Sequence, residues 1–200
     1  MTNQEIAYII HQYTPLLDQP EEYNTRINWG QMQRYFQCVG AKDYVSLRPF
    51  KIIRGENGVP ALHFANGQCT LPADYQNYQD NMYYLLDGKP IRVHILEDKD
   101  YENFKTSPIE YPTAKFPIAN IQSNYIRLLP RNIHFAVFSY FKKPTKAVYA
   151  VDSSFGYAKY DSINSVNLQW DETNQVAIII LVLQSLGIQA TAEDIKNRTK

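Results

Sequence analysis

Four histidines (His11, His63, His94, His134), two cysteines (Cys38, Cys69) and an acidic run, Glu97-Asp98-Asp100-Glu102, are the residue types with which this 200-residue chain could do chemistry. A structural or catalytic metal site needs several such ligands at short spacing, so that one loop or helix turn aims them at one point. No histidine here has that spacing to another His, Cys, Asp or Glu. A cysteine nucleophile needs a base within hydrogen-bond reach, and no local signature joins Cys38 or Cys69 to a histidine. The acidic run could attract a hard cation, but it lacks the alternating oxygen ladder and central glycine of a calcium loop and reads as a solvated segment. GxGxxG, GxxxxGK[ST], GxSxG and HExxH do not occur. We therefore expect no catalysis, no cofactor and no metal, with a small cytosolic enzyme working through Cys69 or the acidic run as the alternative. The two thiols, 31 positions apart and without a CxxC, are expected to stay reduced.

Lysines set among aromatic residues offer a second chemistry. "FSYFKKP" (138–144) and "FGYAKY" (155–160) could stack bases beside phosphates. Phe138, Tyr140 and Lys142 would then form the surface of a single-stranded nucleic-acid binder. The charge balance argues against it: 20 Lys and Arg face 20 Asp and Glu, whereas phosphate neutralisation normally demands a basic excess. The structural reading is that alternating aromatics make one buried face of a strand, and Lys142 and Lys143 mark its wet end.

These residues must be held by elements, and 44% hydrophobic content is enough to build a core. Residues 1–50 read as helical. Thr2 and Glu5 have capping-box spacing, and Ile6, Ile9, Ile10 and Tyr13 follow on one face of a helix that stops before Pro15. After a polar link (Asp18 to Asn24), Asn28 is placed to cap a second helix, with Met32, Tyr35, Phe36 and Val39 as its apolar stripe and Gly40 as its end. Residues 51–168 read as β-rich. Asp87-Gly88 joins "NMYYLL" to "KPIRVHIL" as a two-residue hairpin turn, and Leu71-Pro72 closes a strand. In 97–117 a charged stretch is followed by Pro108, Pro112 and Pro117, which cannot sit inside a sheet. This segment is expected to project as a long loop and to contact a partner, with Pro108, Tyr111 and Pro112 as the candidate residues. Strands over 118–129 and 133–141 are expected to form a hairpin around Pro130, and Ala147–Asp152 to complete the sheet. Residues 169–200 return to helix: Asp171 or Thr173 caps "NQVAIIILVLQSL", apolar on every side and so buried against the sheet or a neighbouring chain. Gly187 ends it, and Thr191 with Asp194 caps a short last helix. The expected fold is α+β in a single domain over 1–200, its central, mainly antiparallel sheet being a sandwich or a partly open barrel.

Tyrosine is in surplus, at 16 residues, which suits half-buried strands and protein interfaces. The start, MTNQEIAYII, lacks a basic region followed by an apolar stretch, and the longest apolar run, Val176 to Leu183, is shorter than the about 20 residues a membrane span needs. A soluble, unexported chain is expected.

One order of features runs through nearly the whole chain. An "NQEIAYII" helix and a polar link lead to "LRPF" (47–50) and then to the "LPADY" step (71–75) into strands. The proline-broken loop follows, then "IRLLPRNIHFAVFSYFKKP" (126–144), and a final helix led by Trp170 and carrying "IIILVLQSLGI". With Leu129-Pro130, Tyr140, Lys143-Pro144 and Trp170 in place, the chain resembles the neck-ring, or head-to-tail connector, structural proteins of crAss-like tailed bacteriophages infecting Bacteroidales and their relatives. The resemblance implies a virion protein, made in the host bacterial cytoplasm, that closes into a homo-oligomeric ring, dodecameric by family analogy. It implies the portal and other neck or tail proteins as partners, and genomic DNA passing without sequence-specific contact. Lys142 and Lys143 would touch that DNA, and the Pro108–Pro117 loop would reach an adjacent ring or the tail. It supplies no catalytic residue.

Overall fold

The computed structural model describes residues 1–14, 19–154 and 159–198. Helices α1 (Asn3–Tyr13) and α2 (Pro20–Gly40) come first. Six strands follow: β1 (Lys51–Arg54), β2 (Leu62–His63), β3 (Gln68–Thr70), β4 (Tyr75–Leu86), β5 (Lys89–Arg92) and β6 (His94–Ile95). Helix α3 (Asp98–Thr106) precedes β7 (Ile118–Ile121), β8 (Tyr125–Leu129), β9 (Phe135–Lys142), β10 (Val151–Asp152) and β11 (Lys159–Tyr160). Helices α4 (Glu172–Ser185) and α5 (Ala192–Asn197) come last. Helices at both ends around a largely antiparallel β region make this an α+β fold. The chain gathers into two compact units, one of Met1–Pro49 with Pro144–Lys200 and one of Phe50–Lys143.

In the helical unit, local signals behave as the sequence predicts at three termini. Thr2 Oγ1 accepts the Glu5 N–H at 3.2 Å while the Glu5 carboxylate accepts the Thr2 N–H at 2.7 Å, and Ile6, Ile9 and Ile10 are buried behind this cap. Asp171 accepts the Asn174 N–H at 2.9 Å to open α4, and Thr191 with Asp194 forms the capping box of α5. The start of α2 differs. It begins at Pro20, eight residues before Asn28, because proline at the first helical position loses nothing and Glu21 and Glu22 complement the helix dipole. The buried face shifts accordingly to Tyr23, Ile27, Gly30, Gln31, Tyr35 and Cys38, and Phe36 is left half exposed.

Asn28 is therefore not a cap but the middle of a ladder. Its Oδ1 accepts the Ala147 N–H at 2.8 Å and its Nδ2 donates to the Ala147 carbonyl at 2.8 Å. Asn24 makes the same pair with Tyr149, at 2.6 and 3.2 Å, and Gln31 Nε2 donates to the Thr145 carbonyl at 3.1 Å. Positions 24, 28 and 31 lie on one helix face, with rises of about 6 and 4.5 Å. Alternate residues of an extended chain repeat at about 6.7 Å. The helix thus takes the place of a neighbouring strand for residues 145–149. On the other side Asn3 Nδ2 donates to the Val148 and Val166 carbonyls, and Val148 bridges Val166. The Ala147–Asp152 strand expected in the central sheet is held here instead. Only Val151–Asp152 is ladder-paired, with β11 in a separate two-stranded sheet.

Helix α4 is buried by other helices, α1, α2 and α5, rather than by a sheet. The close approach to α2 is made at Gly30, where a Cβ would lie 2.8 Å from Val182 Cγ2 and 3.2 Å from Ile178 Cγ2.

In the β unit, β9 is the central strand of a five-stranded sheet of order β1-β9-β4-β5, with β2 also pairing with β9. A four-stranded sheet has the order β3-β8-β7-β6. One core, including Phe64, Met82, Val93, Leu128, Ala136 and Phe138, draws on both sheets. The chain changes sheet repeatedly. After the Asp87-Gly88 turn, with positive φ at both residues as a type I′ turn requires, β5 pairs with β4 while β6 pairs in parallel with β7. Strands that switch sheets in this way make the corners of orthogonally packed β structures.

The same change occurs in 125–144, and it overturns the expected hairpin. β8 pairs with β3 and β7, β9 pairs with β1, β2 and β4, and no ladder joins β8 to β9. The chain crosses between the sheets at Leu129–Pro130, whose peptide bond is cis, and at Arg131-Asn132. The strand expected over 118–129 is itself a hairpin, β7 and β8 in antiparallel register from Ile118–Leu129 to Ile121–Ile126.

Candidate partner-binding surface

Residues 97–117 begin as a helix, not a loop. Asp98 and Asp100 in the first turn of α3 and Lys105 in the last suit its dipole, and Tyr101 is its buried contact. Arg127, on β8, fastens this helix. Its Nη1 donates to Glu102 Oε1 at 2.6 Å, its Nη2 donates to Asn120 Oδ1 at 3.1 Å, and its guanidinium lies 4.6 Å from the centre of the Tyr101 ring. Hydrogen bonds from Lys105 and then Arg127 hold the Glu102 carboxyl below its ordinary range. The acidic run thus serves the helix dipole and this arginine. Among the described residues no group of three or more His, Cys, Asp or Glu is placed to hold a metal ion.

Beyond the helix the chain is tied down at several points. Ser107 Oγ accepts the N–H groups of Ile109 and Glu110 at 3.4 and 3.0 Å. The Tyr84 hydroxyl donates to the Ala114 carbonyl, the Phe116 N–H donates to the Thr113 carbonyl at 3.0 Å, and Pro112 and Pro117 are buried. Three large apolar side chains nevertheless stand in solvent: Ile109 is 91% exposed, Phe116 70% and Tyr111 53%. They rim a cleft of about 490 Å³ whose apolar wall includes Leu96, Phe104, Pro112 and Ile118, with His94 and Glu110 as polar members. An anchored backbone with exposed apolar side chains around one cleft is a candidate protein-docking surface.

The residues singled out in the sequence fall in two places. Tyr111 and Pro112 line the cleft, and Pro108 is exposed immediately before Ile109. Ile109 and Phe116 were the missed members; their signal was an apolar residue between prolines with no periodic partner to cover it. Lys142 and Lys143 are at the end of β9, the first half-buried opposite Tyr75 and the second exposed, its N–H donating to the Asp74 carbonyl at 2.9 Å.

The base-stacking surface does not form. Phe138 and Tyr140 are fully buried, Phe138 is stacked with Tyr75, Tyr78 and Tyr140, and the Tyr140 hydroxyl donates to Asp74 at 2.7 Å. Of "FGYAKY", residues 155–158 lie outside the described residues. Cys38 is buried and Cys69 half-buried, both as free thiols. Burial pushes both thiols up, so neither is primed as a thiolate nucleophile. Among the described residues no helix is long and apolar enough to cross a membrane. No protein-family model matches the chain, and no curated protein matches it.

Proposed function

We propose that the chain is a virion structural protein that forms a ring in the neck of a tailed phage, joining portal to tail and bounding the channel through which the genome leaves. The observation that carries this reading is the anchored apolar rim of Ile109, Tyr111 and Phe116 around its cleft. Side chains of this size left in water favour association with another protein surface.

A ring closed by head-to-tail contacts needs two different patches on each copy. Exposed large apolar residues occur on both units, Ile109 and Phe116 on one and Tyr44 and Val45 on the other. The balanced charge favours the same role, because a channel that held DNA tightly would impede its exit. Lys143, exposed at the end of β9, is then a passing contact rather than a binding site.

The test is a double substitution, Ile109→Ser with Phe116→Ser. Exposed side chains of this kind change stability by no more than about 0.5 kcal/mol, so the variant keeps its unfolding midpoint. It is expected to lose incorporation into particles when it replaces the wild-type chain during infection. Incorporation at the wild-type level would remove this surface, and with it the support for the reading.

A further inference from the structure

A second cleft, of about 120 Å³, lies where the Asn66-Gly67-Gln68 turn meets Tyr101 and Lys105 of α3 and the Arg127–Arg131 stretch. A water molecule takes about 30 Å³, so this space suits one small group of a few heavy atoms. Its lining contains three cations, Lys105, Arg127 and Arg131, and no acid.

The three cations differ in how far they are already satisfied. Lys105 and Arg127 share the carboxylate of Glu102, at 2.9 and 2.6 Å, and Asp98, largely exposed, is 3.9 Å from Arg127. Arg127 is held rigidly by Glu102, Asn120 and the Tyr101 ring, yet its buried Nε–H has no hydrogen-bond partner. Among the described residues the guanidinium of Arg131 makes no hydrogen bond or ion pair. Its stem is positioned by the turn: Gly67 has φ +75, and a Cβ there would lie 3.0 Å from Arg131 Cγ and 2.7 Å from the Leu128 carbonyl. Only glycine meets both demands, the left-handed backbone and the close approach.

We propose that this cleft binds a single tetrahedral oxyanion, a phosphate group, between Lys105, Arg127 and Arg131, with the Asn66-Gly67-Gln68 turn beside it. Guanidinium and ammonium groups supply charge-assisted hydrogen bonds to such an oxyanion, and a rigid fork loses little entropy in making them. The phosphate is either a free ion or small phosphate ester, or one phosphate of a nucleic-acid backbone. The site rests on its own residues and is independent of the neck-ring reading.

The test is a titration of the full ¹⁵N-labelled chain, followed by the amide signal of Gly67 and the Nε signals of Arg127 and Arg131. Inorganic phosphate at constant ionic strength is expected to move these signals saturably, and chloride is not. Arg131→Gln and Lys105→Gln are each expected to weaken the binding about tenfold while leaving the unfolding midpoint in place. An unsaturable response, the same response to chloride, or wild-type affinity in both variants would overturn the site. Should Arg131→Gln fail to fold, the chloride control and Lys105→Gln decide it. A second arm adds a short DNA duplex in phosphate-free buffer. Movement of the same signals, reversed by phosphate, assigns the ligand to a nucleic-acid backbone; silence after a positive phosphate titration assigns it to a free phosphate. Both results of that arm sustain the site.

Discussion

Gly30 has no side chain because α4 occupies the space. Its missing Cβ would lie 2.8 Å from Val182 Cγ2, on a β-branched side chain with little rotamer freedom in a helix, and 3.3 Å from the Ile178 carbonyl oxygen. Alanine in mid-helix normally improves on glycine by about 1 kcal/mol. Here that gain meets an overpacking cost of about 1–3 kcal/mol. Gly30→Ala is therefore expected to lower stability by up to about 2 kcal/mol in urea unfolding, against the propensity scale; a stabilised variant would show that the two helices have room between them. Nothing in the sequence marked this position, since glycine within an apolar helix pattern reads only as a weak spot. The caps at Thr2, Asp171 and Thr191 were legible because a cap is a local bargain, made within three residues.

Asn24, Asn28 and Gln31 act as one element-scale device. Their amides satisfy backbone groups of residues 145–149 that would otherwise need a neighbouring strand. Asn28→Ala leaves both the N–H and the carbonyl of Ala147 without these partners, at a cost of about 1–3 kcal/mol. The expected outcome is a loss of that size together with faster hydrogen exchange at the Ala147 amide; unchanged exchange there would mean that the segment is held by something else. The long range of this contact explains why the sequence misled. Asn28 and Gln31 have capping spacing, and their real partners are more than a hundred residues away. The same holds for β8 and β9. Alternation and Pro130 showed two strands and a corner, but which strand pairs with which is a non-local matter, and the stretch turned out to join two sheets. Charge misled in 98–106, where acids at the start and Lys105 at the end made a short helix of a stretch that looked like solvated loop.

At the scale of the whole molecule, the α+β class was legible, because the apolar period changes from helix to strand near residue 50 and back near 170. The division into two compact units was not, since one unit is built from both ends of the chain and no linker marks its edge. The site was half legible. Prolines marked the segment that carries the apolar cleft, whereas the exposure of Ile109 and Phe116 depends on where neighbouring elements stop covering them. That exposure, on a chain with balanced charge and apolar residues exposed on both units, is what the neck-ring reading explains. The measurement that tests it most directly is the protein composition and cryo-electron microscopy of purified virus particles from the source that encodes the chain. The account predicts the chain in many copies, as a ring between portal and tail with the 107–117 segment at a protein interface. Particles that lack the chain would contradict it.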